Sequence, residues 1–285
     1  FTAMKVITTI SDLQQELDWD RGYGKSIGFV PTMGALHKGH ASLVARSVRE
    51  NNITVVSVFL NPTQFNDKRD LEKYPRTQSA DCHMLQGLGV TIAFCPTVEE
   101  MYPEPDTRVF SYPPTDSVME GRFRPGHFNG VCQIVSKLFD AVRPQRAYFG
   151  EKDFQQIAVI KRMVADLKYN IEIVPCSVVR ELSGLALSSR NTLLTDEERD
   201  TAANIYRILA ESRRLIASAT VEQVRAEVVR RINAIPGLEV EYYSIVDGET
   251  LADVQTWASA RSIVGCITVF CGKIPVRLID HIRYL

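Results

Sequence analysis

Excess charge is what this sequence most clearly lacks. Its 33 Lys and Arg face 34 Asp and Glu, a formal net charge of −1, so no broad attraction to nucleic acid or to an anionic membrane is expected. Long apolar runs are missing too: none approaches the roughly 20 residues of a membrane-spanning helix. The N-terminal stretch has neither the basic nor the apolar region of a signal peptide. A cytoplasmic location is expected, with Met4 as the natural start and Phe1–Ala3 a remnant ahead of it. The six cysteines (Cys82, Cys95, Cys132, Cys176, Cys266 and Cys271) never take C-x-x-C spacing, and four of them lie in apolar runs such as IAFCP and VGCITVFC. Buried reduced thiols are expected, not a disulfide framework. No G-x-G-x-x-G occurs, which argues against a nicotinamide dinucleotide. The stretch GYGKSIG (22–28) imitates a phosphate loop, but Trp19 stands where the first glycine belongs and the stretch precedes its strand, so a turn is expected there.

What is present is an ordinary globular composition, 45% hydrophobic and 24% charged over 285 residues, enough for one or two domains with their own cores. Short apolar, β-branched runs at 26–32, 53–62, 90–96, 146–150 and 171–179 read as strands. Between them HKGHASLVARSVREN, TQSADCHMLQGLG, NGVCQIVSKLFDAVRP and DFQQIAVIKRMVADL carry apolar residues at helical spacing. Alternating helices and almost wholly apolar strands predict the α/β class, a parallel sheet covered by helices on both faces. Beyond that the order changes. Two helices open on capping boxes, Thr195 to Glu198 and Thr220 to Gln223, and strands follow them. This predicts a smaller C-terminal α+β domain, with the boundary placed between residues 178 and 179 (domains 1–178 and 179–285).

In parallel sheets ligands gather beyond the C-terminal ends of the strands, so the segments after each strand are the place to look. After the first comes MGALHKGH, with two of the chain's five histidines, His37 and His40, at the start of a helix. Three readings compete. Zinc would need a further ligand at recognisable spacing, and none stands out. One histidine could cap the helix while the other stays exposed. Or both could donate hydrogen bonds to phosphates, where Gly34 and Gly39 permit tight turns and close approach and the helix N-terminus favours anions. The position favours the third. Later strands are followed by NPTQF, with Gln64; by GEKDFQQ, where Lys152 can reach phosphate, Asp153 can accept from a ribose and Gln156 lies one turn on; and by LSSRN, where Ser188, Ser189 and Arg190 can clamp phosphate. Each has a bland reading as a solvated turn or cap, but their shared placement at strand ends strengthens the combined case.

Taken in order, FVPTMGALHKGHASLV, NPTQF, YPRT, EGRFRPGHFNGV, FGEKDFQQ and GLALSSRN resemble the pantothenate synthetase (pantoate–β-alanine ligase) family from about residue 26 to 194, and VRLIDHI resembles its last strand. H-x-G-H also marks the wider superfamily of nucleotidylyltransferases and class I aminoacyl-tRNA synthetases. The resemblance implies a Rossmann-like N-terminal domain with a smaller lid domain, a cytoplasmic homodimer, and two-step amide synthesis. Pantoate attacks the α-phosphorus of ATP, releasing pyrophosphate; β-alanine then displaces AMP. Mg2+ accompanies ATP. By motif, Met33, Gly34, Ala35, Leu36, His37, Lys38, Gly39 and His40 form the first ATP segment, with His40 the proton donor and His37 on phosphate. Gly150, Glu151, Lys152 and Asp153 form the second. Val179 meets adenine through its backbone. Leu187, Ser188, Ser189 and Arg190 stand at the synthetases' mobile loop. Gln64 and Gln156 hold pantoate, Asp81 is a candidate metal contact, and Arg124 is placed near anions, with a structural hydrogen bond expected at His127. Departures are small: Thr63 and Leu187 stand where many relatives have Met. Neither nucleic acid nor membrane is expected as a partner. A nucleotidylyltransferase that keeps the nucleotide on its product and a non-catalytic nucleotide-binding regulator are the alternatives.

Overall fold

The computed structural model describes residues 3–285; Phe1 and Thr2, expected as part of the remnant, lie outside the described residues. In chain order the elements are β1 (Lys5–Ile7), α1 (Ile10–Gly22), β2 (Ile27–Thr32), α2 (Lys38–Glu50), β3 (Ile53–Val58), α3 (Lys68–Lys73), α4 (Gln78–Gly87), β4 (Ile92–Phe94), α5 (Val98–Met101), α6 (Glu120–Phe123), α7 (His127–Val142), β5 (Arg146–Gly150), α8 (Phe154–Asp166), β6 (Glu172–Cys176), α9 (Asp196–Ser212), α10 (Val221–Asn233), β7 (Leu238–Asp247), β8 (Ile263–Cys271) and β9 (Val276–Arg283). They form two compact units. One holds residues up to Tyr112 together with Arg124–Glu151 and Val159–Ser177; the other holds Pro113–Phe123, Lys152–Ala158 and Val178–Leu285.

The first unit is built on a six-stranded sheet in the order β1-β4-β3-β2-β5-β6, with every pairing parallel. Alternate strand residues feed opposite faces. Val30, Val56, Ala93 and Tyr148 pack with Leu43 and Val44 of α2 and Leu85 of α4. On the other side Phe29 meets Phe139 of α7, ring centroids 6.3 Å apart and edge-on. Burying both faces is why these strands read as unbroken apolar runs. From β2 the chain runs outward through β3 and β4, then returns to β2's other flank with β5 and β6. Strand order therefore reverses between β2 and β5, the position at which such sheets open a crevice for ligands. Several elements were not anticipated: the short helices α3, α5 and α6, and two elements at the N-terminus. Strand β1 is a three-residue edge strand, largely exposed, and α1 commits only Leu13, Leu17 and Asp20 to burial.

The second unit carries a three-stranded antiparallel sheet, β7-β8-β9, with α9 and α10 packed on it through Ile205, Leu209, Val224 and Val228. Both expected capping boxes are formed. All six cysteines are free, and only Cys82 is less than buried.

Candidate active site

The segment leaving β2 is a sharp turn fixed by one carboxylate. Thr32 closes the strand by donating from Oγ1 to the Ser57 carbonyl at 2.7 Å. Gly34 and Ala35 then both take left-handed backbone conformations, φ +81° and +50°, which glycine accepts readily and alanine does not. The Ala35 and Leu36 amides donate to the two oxygens of Asp81 at 3.0 and 2.9 Å. The Thr77 hydroxyl lies 3.2 Å from each of the same oxygens. Asp81 is 3% exposed.

Helix α2 begins directly after this turn, and two histidines do what Ser or Thr and Glu usually do. His37 is the N-cap and takes the Gly39 amide on Nδ1 at 3.0 Å; His40, three residues on, takes the His37 amide on its own Nδ1 at 3.3 Å. The rings sit 4.1 Å apart, tilted by 43°. A nitrogen that accepts from an N–H carries no proton, so each neutral ring holds its hydrogen on Nε2. Capping and phosphate donation are therefore not alternatives here. Capping uses Nδ1 and leaves Nε2–H as the donor, at a helix N-terminus that itself favours anions.

Gln64 ends the short Pro62–Gln64 turn after β3 and is nearly buried. The Asn61 amide nitrogen donates to Gln64 Oε1 at 3.0 Å and to the Gly130 carbonyl at 3.2 Å, while the Tyr102 hydroxyl donates to Asn61 Oδ1 at 2.7 Å. Burial pushes the Tyr102 phenol above its ordinary value, which keeps it a donor. A backbone carbonyl can only accept, so the Asn61 amide has one orientation, and it fixes that of Gln64: Oε1 is held and Nε2 is the group presented. Helix α7 presses on the same turn. His127 Nδ1 donates to the Gln64 carbonyl at 2.9 Å, and Arg124 donates to His127 Nε2 at 3.3 Å.

In the second unit Lys152 pairs with Asp153 at 3.4 Å in the turn that follows β5. The adjacent glutamines divide their roles. Gln155 is buried and spends its amide on the carbonyls of Thr115 and Val118 and the amide of Glu120, whereas Gln156, half-buried, lies off that network. Residues 179–187 fold back on themselves, with the Leu187 amide on the Val179 carbonyl at 3.0 Å. Ser188 caps the following turn by accepting the Arg190 amide at 3.2 Å. Asn191 anchors that turn on the Ala186 carbonyl, and Arg180 makes a two-pronged pair with Asp280 at 2.7 and 2.8 Å.

Residues 5–283 match the family model for pantoate-beta-alanine ligase. The chain belongs to the pantoate–β-alanine ligase family. It is 63% identical to the pantothenate synthetase of Bacteroides thetaiotaomicron over 281 residues, 99% of each chain. It is similar to the crystal structure of pantothenate synthetase from Thermus thermophilus, with a TM-score of 0.91 and 42% identity over 99% of both chains. The pantoate–β-alanine ligase of Francisella tularensis, solved in complex with beta-gamma ATP and β-alanine, aligns with a TM-score of 0.83 at 34% identity, covering 99% of this chain and 98% of that one.

In this family member the anticipated residues fall on both units. Met33–His40, Gln64, Asp81, Gly150 and Glu151 belong to the first; Lys152, Asp153, Gln156, Val179 and Leu187–Arg190 belong to the second. The first-unit geometry joins Asp81 to Ala35 and Leu36, and leaves Gln64 on its own turn with Asn61 and Tyr102. Asn61, Thr77 and Tyr102 were not singled out from sequence. Asn61 and Thr77 lie inside the quoted motifs NPTQF and YPRT; Thr77 acts through Asp81, four residues on, while Asn61 reaches across the fold to Gly130 and Tyr102, which no spacing announces.

Proposed function

We infer that the chain condenses pantoate with β-alanine to give pantothenate, through a pantoyl-adenylate intermediate, with ATP converted to AMP and pyrophosphate. The observation that carries the reading is the turn between β2 and α2, where two neutral imidazoles are locked by their Nδ1 atoms at a helix N-terminus beside the point of strand reversal. A pantoate carboxylate is ionised at neutral pH and needs no general base. Gln64 supports it with an Nε2 donor that orients the carboxylate without neutralising it, and Gln156 is assigned the same substrate. As the carboxylate oxygen bonds to the α-phosphorus, charge builds on that phosphate and on departing pyrophosphate. His37, His40, Lys152, Ser188, Ser189 and Arg190 are assigned to offset it, each donor contributing about 2.7–4 kcal/mol to the barrier where it acts in the transition state. Met33–His40, Gly150–Asp153, Val179 and Leu187 are assigned to ATP. In the second step the amine of β-alanine attacks the acyl carbon and the carbon–oxygen bond to AMP breaks.

His40 as a proton donor fits the geometry poorly, because giving up Nε2–H with Nδ1 facing an amide would leave an imidazolate. Hydrogen bonding without transfer is the role that its tautomer supports. Mg2+ is assigned to the ATP phosphates. Among the described residues no group of three or more His, Cys, Asp or Glu is placed to hold a metal, and the Asp81 oxygens already have donors. The smaller unit is assigned the lid, which keeps water from the adenylate until the amine arrives. Homodimer formation and a cytoplasmic location rest on the family; among the described residues no helix is long and apolar enough to cross a membrane.

The test supplies ATP, Mg2+, pantoate and β-alanine to the purified chain. AMP release that requires both organic substrates is expected. Pyrophosphate release with the nucleotide kept on the product would replace the ligase by a nucleotidylyltransferase, and ATP binding without turnover would leave only a regulator.

A further inference from the structure

We propose that Asp81 is the positioning residue of the histidine turn: its carboxylate clamps a strained backbone loop that sets His37 and His40, and it is not a ligand for Mg2+. The proposal rests on the ligase reading for its kinetic arm only.

Four observations on the first unit converge. Both oxygens of Asp81 are used, Oδ2 by the Ala35 amide at 3.0 Å and Oδ1 by the Leu36 amide at 2.9 Å. The Thr77 hydroxyl lies 3.2 Å from each, one turn earlier on the approach to α4. The group is 3% exposed, so a cation entering there would have to compete with amide and hydroxyl donors that already hold both oxygens. The clamped backbone is also the least relaxed part of the site. Ala35 sits at φ +50°, a conformation that a non-glycine residue holds only where its surroundings impose it. Gly34 is packed closely as well: a Cβ there would stand 3.1 Å from Asp81 Oδ2 and 3.3 Å from Val58 Cγ1, so a side chain would press on the clamp itself. Leu36 is followed at once by the N-cap His37. An error in the turn therefore passes through one peptide to both imidazoles, and at a reacting phosphate a misplacement of about 1 Å can lower the rate on the order of a hundredfold.

The chemistry of the clamp separates it from a metal ligand. Two converging amide N–H groups require an acceptor at both ends of one planar group. Asparagine offers one oxygen and one NH2, so Asp81→Asn sets a donor against a donor at one of the two amides. Glycine at position 35 removes the penalty on the left-handed conformation and lets the loop hold its shape with a weaker clamp.

Asp81→Asn, Ala35→Gly and the double variant of the full chain test this, with Thr77→Val as a milder change should Asp81→Asn not fold. The readouts are kcat and the pantoate KM for pyrophosphate release, the Mg2+ concentration giving half-maximal rate, and amide hydrogen exchange across residues 33–40. Expected for Asp81→Asn are kcat lower by about tenfold to a hundredfold, an unchanged pantoate KM, an unchanged Mg2+ requirement and faster exchange at 33–40. The double variant should recover much of the lost kcat, which removal of a metal ligand would not allow. Thr77→Val should move the same readouts in the same direction by less. A several-fold rise in the Mg2+ requirement with exchange unchanged would overturn the proposal in favour of metal binding. Unaltered kcat would overturn it outright. The exchange arm is independent of activity, so a wild-type chain that makes no pantothenate would fail the ligase reading while the clamp stood or fell on exchange alone.

Discussion

Replacing His40 removes two things at once, a cap for the His37 amide and an Nε2–H donor, and two substitutions separate them. His40→Ala loses both. The cap should cost about 1 kcal/mol of stability, and pyrophosphate release should fall about a hundred- to a thousandfold. Gln at the same position is the ordinary partner in a capping box. His40→Gln should therefore return the melting temperature close to wild type while the rate stays low. Recovery of the rate together with the cap would show that the imidazole's role is only structural. Asn61 permits a similar separation at the pantoate side. Asn61→Asp keeps size and shape but offers Gln64 Oε1 an acceptor where it had a donor. The Gln64 amide should turn over and present oxygen to the substrate carboxylate. Leaving such a group mispaired costs about 1–3 kcal/mol, so the pantoate KM should rise about tenfold or more, with a smaller change in the ATP KM. An unchanged pantoate KM would remove Gln64 from that contact.

At the scale of elements, the turn that carries Gln64 is held by the helix lying against it. Gly130 in α7 is there because no side chain fits: a Cβ would stand 2.6 Å from the Thr63 carbonyl carbon and 2.7 Å from Gln64 Cα. These are backbone atoms, which cannot swing aside. Gly130→Ala should push the Pro62–Gln64 turn off α7, lower stability by about 1–3 kcal/mol and raise the pantoate KM without altering ATP binding. Thermal melting and a pantoate titration check both parts. Normal binding in a destabilised variant would mean that the turn reforms elsewhere with its glutamine intact. The elements themselves were largely legible. Runs such as ITVVSV and RAYFG declare buried strands, and the stripe through Val131, Ile134, Val135 and Leu138 declares α7. The misses share a cause. Strand β1 is too short and too exposed to show a pattern, and α1 buries little more than Leu13 and Leu17, a stripe too thin to stand out from its polar neighbours. The site was legible where position alone defines it, as with His37 and His40 at a strand's end. It was not legible where a role lies in a bond across the fold, as with Asp81 to Ala35 or Asn61 to Gly130.

For the molecule as a whole, the sequence could suggest two bodies but not how the chain is shared between them. The segment Pro113–Phe123 belongs to the second unit because Glu120, nearly buried, pairs with Arg277 at 2.6 and 2.7 Å and takes the hydroxyls of Tyr242 and Thr268, each at 2.9 Å. Partners separated by 157 residues leave no local trace. Burial of weak acids has a consequence for both units. In the first, desolvation pushes the Cys95 thiol and the Tyr148 hydroxyl up to about 12. In the second it pushes Cys266 up to about 12 and Cys271 to about 11, and drives Tyr242 and Tyr243 well above the usual phenol range. Each of these groups keeps its proton in the folded chain at a pH where the unfolded chain has released it. The unfolded state then binds fewer protons, and stability falls as pH rises. The loss begins near the unfolded values, about 8.5 for cysteine and about 10 for tyrosine, and continues through the raised folded values. Below about pH 8 these groups are protonated in both states and contribute no slope. Calorimetry should therefore give a melting temperature that is steady with respect to these groups around neutrality and falls with increasing steepness above about pH 9. Cys266→Ala should make the alkaline fall shallower. A melting temperature that stays flat to about pH 11, or a fall of unchanged steepness in that variant, would contradict the assignment of the alkaline loss to buried acids.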